Sequence, residues 1–306
     1  MEDFGVKVRE LREIRGFTRE IFCGDEEILS SRQLSRIETG KSIPNIITVK
    51  YIAERLGMSV SDLLADKNPE LSDDYLSLKH KLLRIPTYGD NHRLELRELY
   101  FNQIYEFFYD GLPEDEKLVI DCLQSKLDVY RSGDDGFGLG LLQDYWYQMV
   151  PKEAYCLNNL IFLDLYLTCF AHKQNRERFY KEEQYDEVML TLLNLSFFSS
   201  EEKCQLNNVL LNHINIAFEL GRWDYVEQVL DKSFHLMVDT NDYQKRPIIS
   251  LVEWKYRLYA KHSMETAQES YGHAVLFAQL MGEDFLKEKL SEEWYKDMAA
   301  SHTFKR

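Results

Sequence analysis

The sequence predicts an all-α chain in two parts, a small N-terminal domain followed by a long array of helices. Two observations carry this. Apolar residues recur three and four apart along most of the 306 residues, while the alternation of period two that marks strands is absent. Proline and glycine also punctuate in the helical sense: Pro69, Pro86, Pro113, Pro151 and Pro247 fall at starts or connections, and Gly111, Gly133, Gly221 and Gly282 at ends.

The first part reads in order. Phe4, Val8, Leu11 and Ile14 make one face of a helix over residues 4 to 15 that stops at Gly16. Thr18 caps a second helix, with Glu20 in its first turn. A third spans residues 31 to 38 and points Leu34 and Ile37 inward. Val49, Ile52, Ala53 and Leu56 line a fourth that ends at Gly57, and Ser59 with Asp62 forms a capping box for a fifth. The spacing between Thr18 and Gly57 suits a helix-turn-helix that lays one helix in a DNA major groove.

On the third helix Arg32, Gln33 and Arg36 lie together on the outer side. Arginine offers a donor pair for guanine, glutamine pairs with adenine, and Ser30 and Ser31 at the helix start suit a phosphate. Lys41 beyond Gly40 completes the expected DNA-binding set. A pair of arginines on a helix also suits a solvated face; the surrounding punctuation favours DNA. The run RQLSRIETGKSIPNIITVKYIAERLG resembles the helix-turn-helix of the Xre and lambda-repressor-like family, although CGDEEIL at residues 23 to 29 lengthens the turn before the recognition helix.

Charge divides the chain. The formal net charge is −15, but residues 1 to 66 carry 10 basic and 12 acidic side chains, leaving 27 basic and 40 acidic in the remainder. The larger part therefore repels DNA, and binding must rest on a local basic face of the smaller one. No apolar run approaches the ~20 residues needed to span a bilayer, and the charged start MEDFGVKVRELRE is unlike a signal sequence, so a cytoplasmic protein is expected. Cys23, Cys122, Cys156, Cys169 and Cys204 are odd in number and lack C-x-x-C spacing; they are expected to be buried thiols, with Cys23, in a turn, the one candidate for an intersubunit disulfide.

The expected domains are residues 1–66, a linker helix within 67–84, and a helical domain over 85–306. Helices are expected near 94–110, 114–131, 139–149, 153–172, 175–197, 200–220, 223–239, 248–261, 265–281 and 284–299, with the glycine-rich GDDGFGLG at 133–140 as a connector. Two blocks, from Asn207 and from Ser250, pair helices in the manner of tetratricopeptide repeats, whose period is about 34; Gly221, Trp223 and Tyr225, then Ala267, Ala274 and Ala278, match the packing positions. Stacked helical hairpins curve into a solenoid whose concave face takes extended peptides. Asn208, Asn212 and Asn215 share one helix face there, and Asn158 takes a comparable place earlier. Each side chain presents a donor and an acceptor in one plane, which complements a peptide backbone. Arg97 and Lys255 are candidate cations for a peptide carboxylate. A solvated polar face and surface salt bridges are the alternatives for these residues.

Taken together, SRQLSRIETG, YIAERLG, LLRIPTYG, DGLPEDEK and YGHAVLFA resemble the Rgg and ComR-type regulators of Gram-positive bacteria, over nearly the full length. The resemblance implies a homodimer that binds promoter DNA and is activated, at competence or similar genes, by a short imported hydrophobic peptide seated in the repeat groove. It implies no cofactor. A peptide-independent repressor or scaffold whose repeats bind a protein partner is the alternative. No metal site, phosphate loop or catalytic motif is present, so no enzyme is expected.

Glu114, Asp115 and Glu116 form the first acidic cluster after the linker. They suit a helix N-terminus; they also suit an autoinhibitory latch in which Glu114 engages Arg32 and occludes the DNA face. On the latch reading, Glu114→Lys raises DNA binding and reporter expression in the absence of peptide. A variant as peptide-dependent as the parent leaves the cluster as an ordinary helix start.

Overall fold

Helix ends fall where side-chain caps and left-handed glycines permit them. A computed structural model describes residues 2–25, 28–58, 60, 63, 71–150, 155–172, 182–197 and 199–303. Two units separate, Met1–Asp73 and Asp74–Arg306, and among the described residues there is no strand.

The first unit holds α1 (Glu2–Ile14), α2 (Arg19–Cys23), α3 (Ser31–Glu38) and α4 (Ile46–Leu56). Thr18 accepts the Ile21 N–H and Asn45 the Thr48 N–H, which fixes where α2 and α4 begin. Gly57, at φ +66°, ends α4 in the left-handed conformation. Of the fifth helix expected from Ser59 and Asp62, those two residues lie outside the described ones, while Val60 and Leu63 are helical and pack on this unit's core. Val8, Phe22, Leu29, Leu34, Ile37 and Ile52 fill the core. Cys23 is fully buried among them, as expected of the cysteines, and an intersubunit disulfide there requires this core to open.

α3 is held from behind. The Glu38 carboxylate, buried at its C-terminal end, accepts from Arg12 Nε at 2.6 Å and Arg19 Nε at 2.8 Å, while Arg12 also donates to the Phe17 carbonyl. An acid at a helix C-terminus is unfavourable to the dipole, and two guanidinium groups offset it. Gly5 allows α1 to come this close: a Cβ there would stand 2.1 Å from the Ile37 carbonyl oxygen.

The second unit contains α5 (Asp73–Arg84), α6 (Asn91–Phe107), α7 (Glu114–Ser132), α8 (Gly136–Met149), α9 (Leu157–Ala171), α10 (Glu182–Asn194), α11 (Ser200–Asn212), α12 (Ile214–Glu219), α13 (Trp223–Thr240), α14 (Arg246–Tyr259), α15 (Met264–Leu280) and α16 (Asp284–Thr303). Each helix from α13 onward packs on the next, and α7, α9, α11 and α13 also pack in series, as the tetratricopeptide-like array requires. α9 is the centre: every residue from Leu160 to Leu167 is buried, against α7, α8 and α11. The starts expected at 153 and 175 fall outside the described residues.

Three expectations are corrected. The helix expected over 200–220 breaks at His213, whose backbone leaves helical geometry (φ −114°, ψ 9°). The glycine-rich stretch is not wholly a connector, because α8 begins at Gly136; Gly138 is a packing residue whose added Cβ would lie 2.6 Å from Ser125 Oγ and 3.2 Å from Cys169 Sγ. Cys156 is exposed rather than buried because it occupies the N-cap of α9, where its N–H donates to Asn159 Oδ1.

α5, expected as a linker, is built into the second unit through buried Tyr75, Leu78, Lys79 and Leu82. Glu116 of α7 accepts from Lys79 Nζ at 2.7 Å and from the Tyr75 hydroxyl. Burial alone would raise the Glu116 pKa, but Lys79 and these hydrogen bonds hold it below the ordinary range. At the other end Ala267, Ala274 and Ala278 are fully buried and let α14 and α15 approach, and Tyr271 stacks on Trp294 at 4.7 Å.

Candidate functional site

In the first unit the N-terminus of α3 is set by a capping box. Ser30 Oγ accepts the Gln33 N–H at 3.2 Å and Gln33 Oε1 accepts the Ser30 N–H at 3.1 Å. Arg32, Gln33 and Arg36 are exposed along one side of the helix, Ser30 and Ser31 are half-buried at its start, and Lys41 is exposed just beyond its end. Gln33 differs from expectation in one respect: its amide oxygen is committed to the cap, so adenine readout through both amide atoms requires the cap to open. The two arginines carry the outward charge.

The second unit contains a cavity of about 770 Å³. Alternate helices of the array line it: Leu123, Lys126 and Leu127 from α7, Asp164 and Thr168 from α9, and Gln205, Asn208 and Asn212 from α11. These positions recur three and four apart, so one face of each helix is turned inward. Residues 82–89, the LLRIPTYG run, form a continuous part of the wall. Of the residues expected to bind peptide, the structure brings Arg97, Asn208, Asn212 and Asn215 to this cavity. Asn208 Nδ2 donates to the Leu83 carbonyl and to Gln205 Oε1, both at 3.3 Å, while Asn212 and Asn215 are exposed.

Asn158 and Lys255 are not brought there. The Asn158 amide serves the buried ion pair, donating to Glu116 Oε1 and accepting from Lys79 Nζ, both at 3.3 Å. Lys255 is held by Glu293 at 2.7 Å and Asp297 at 2.9 Å, and Asp297 is fixed in turn by Trp254 Nε1. These partners give both residues structural roles. Arg93, four residues before Arg97 on the same helix, is likewise paired with Glu283 at 2.7 Å. Glu114 is exposed at the start of α7 and pairs with Lys117.

Sequence reasoning missed the polar centre of the cavity. Asp164 is 2 % exposed, ion-paired with Lys126, and 2.6 Å from His213 Nε2 across the break between α11 and α12. Burial alone would raise the Asp164 pKa, but Lys126 and His213 outweigh it and hold the carboxyl well below its ordinary range. Burial dominates at His213 and depresses its pKa despite the Asp164 contact, so the neutral ring donates its Nε2 proton to the carboxylate. The signal was present: Asp164 is the one charge in the apolar run LNNLIFLDLYLTCFA.

The family profile described as the ComR tetratricopeptide matches residues 72–294. No curated protein sequence matches the chain. Among solved structures, ComR from Streptococcus suis is 37% identical over 97% of this chain and 96% of that one, with a TM-score of 0.61. ComR from S. thermophilus, in complex with DNA and its signalling peptide ComS, is 27% identical over 96% of this chain and 99% of that one, at a TM-score of 0.69. PlcR from Bacillus thuringiensis, 14% identical over 95% and 99% of the two chains at a TM-score of 0.61, shares the fold.

The depressed His213 pKa has a consequence for stability. As pH falls, the unfolded chain takes up this proton first, at about 6.5, so the stabilisation is complete above that value and is lost below it. Asp164, also depressed, contributes a further loss only in the acid range. Thermal melts between pH 7.5 and 5.5 should therefore show the parent losing stability, and His213→Gln, which keeps a donor toward Asp164 without the titration, losing less.

Proposed function

The chain belongs to the ComR tetratricopeptide family, and on that premise we propose that it is a cytoplasmic, peptide-activated transcription regulator of quorum sensing, acting at competence or similar genes. The observation that carries this reading is the cavity of about 770 Å³ walled by Arg97, Asn208, Asn212 and Asn215, in a chain whose other unit presents a capped helix with two outward arginines. Both halves of such a regulator have a physical basis here. It is a binding protein and not an enzyme. Family relatives support the choice of ligands: ComR from S. thermophilus is in complex with DNA and its signalling peptide, and ComR from S. vestibularis with its cognate peptide.

In the DNA role, Arg32 and Arg36 reach base edges while Ser30, Ser31 and Lys41 contact phosphate. The Glu38 clamp holds α3 rigid, so contact with DNA does not have to order the helix first. In the peptide role, exposed amides of Asn212 and Asn215 meet the ligand backbone and the leucines of the wall meet its apolar side chains. The active form is a homodimer, whose two-fold axis matches a two-part operator.

Two measurements test these roles. Arg32→Ala should weaken binding to the specific promoter site by about 1 to 3 kcal/mol and binding to unrelated DNA much less; equal losses on both would count against base readout. Replacing Asn208 and Asn212 together with Ala should remove the peptide response in that assay while leaving the melt of the free protein nearly unchanged, and an unaltered peptide affinity would exclude the asparagine ladder.

A further inference from the structure

The charge of the cavity runs against the charge of the unit that contains it. Residues 67–306 carry 40 acidic and 27 basic side chains, yet the cavity wall has four cations, Arg84, Arg97, Lys126 and Lys245, and one carboxylate, Asp164. These groups fall into two clusters. In the first, Lys126 pairs with Asp164, while Arg97 feels that carboxylate only at longer range: it donates to the Leu82 carbonyl and has no carboxylate in ion-pair range among the described residues. In the second, Arg84 pairs with buried Asp242 at 3.4 Å, while Lys245 has neither a side-chain hydrogen bond nor an ion pair among the described residues. Each cluster thus keeps one positive charge in excess, with His213 neutral.

A cation drawn out of water without a partner is unfavourable unless something else supplies the countercharge. Burial depresses the pKa of both Arg97 and Lys245, as expected for positive groups that lack compensation. Both residues are half-buried, and the wall they share also carries the apolar Ile85, Leu123 and Ile248.

We propose that the cavity selects peptides carrying two negative groups, the terminal carboxylate and one acidic side chain, set against the two uncompensated cations Arg97 and Lys245. This deepens the peptide-binding reading and rests on it. A purely apolar peptide fills the volume and leaves one cation unpaired, so it binds more weakly. The acidic exterior of the unit repels such a ligand over roughly 8–10 Å in physiological salt; any preference for acid therefore arises inside the cavity.

The test is affinity selection by the purified full-length protein from a randomised octapeptide mixture with free carboxyl termini, beside the same mixture amidated. The retained peptides should be enriched in Asp or Glu by about tenfold, and amidation should reduce retention by a similar factor, as a charge-assisted contact commands. In Lys245→Met, which removes an uncompensated cation and should melt no lower than the parent, acid enrichment should fall to the level of the input while apolar selection persists. Retained peptides without acid enrichment, or enrichment that survives in Lys245→Met, would overturn the proposal and leave peptide binding standing. Retention of no octapeptide from either mixture would overturn both.

Discussion

One buried carboxylate organises the second unit. Asp164 sits in the most apolar of the described helices, and a charge in that place must be met by partners from other helices. Lys126 reaches it from α7 and His213 from the junction of α11 and α12. The His213 contact accompanies the departure from helical backbone at that junction, which ends α11 early and starts α12 at Ile214. Three walls of the cavity are therefore tied to one anion. Its polarity follows as well, since a single carboxylate among several cations sets the local balance.

The first unit rests on a comparable device of opposite purpose. Glu38 is buried and ties α3 to its neighbours: Arg12 of α1 and Arg19 of α2 hold its carboxylate, and Gly5 removes the side chain that would otherwise hold α1 away. The outward arginines owe their fixed bearing to contacts on the hidden side. Burying this network costs desolvation, and the return is a recognition surface formed before any DNA arrives.

Local features were legible in the sequence and distant partnerships were not. Residues 31 to 38 were read as a helix with the observed bounds because Leu34 and Ile37 define its inner face; the Ser30–Gln33 cap that fixes its start was not read. Asn208, Asn212 and Asn215 were placed on one face of a single helix by their four-and-three spacing, and all three do line the cavity although that helix breaks at His213. Asn158 and Lys255 satisfy the same spacing logic, but their partners, Glu116 for one and Glu293 with Asp297 for the other, lie about forty residues away, and no periodicity reports a pairing of that range. Gly138 misled for the same reason, since the atoms that demand a glycine belong to α7 and α9. Asp164 was the readable exception, a charge where the pattern allowed none.

The enclosure of α9 changes what kind of array this is. Helical repeats touch only their neighbours and tend to open from either end, each unit melting on its own account. Here eight consecutive residues of one helix are buried against three others, so loosening the middle means parting all four together. Cooperativity of that kind belongs to a globular core. A solenoid with such a keystone gives up at its centre the repeat-by-repeat independence that its architecture otherwise allows.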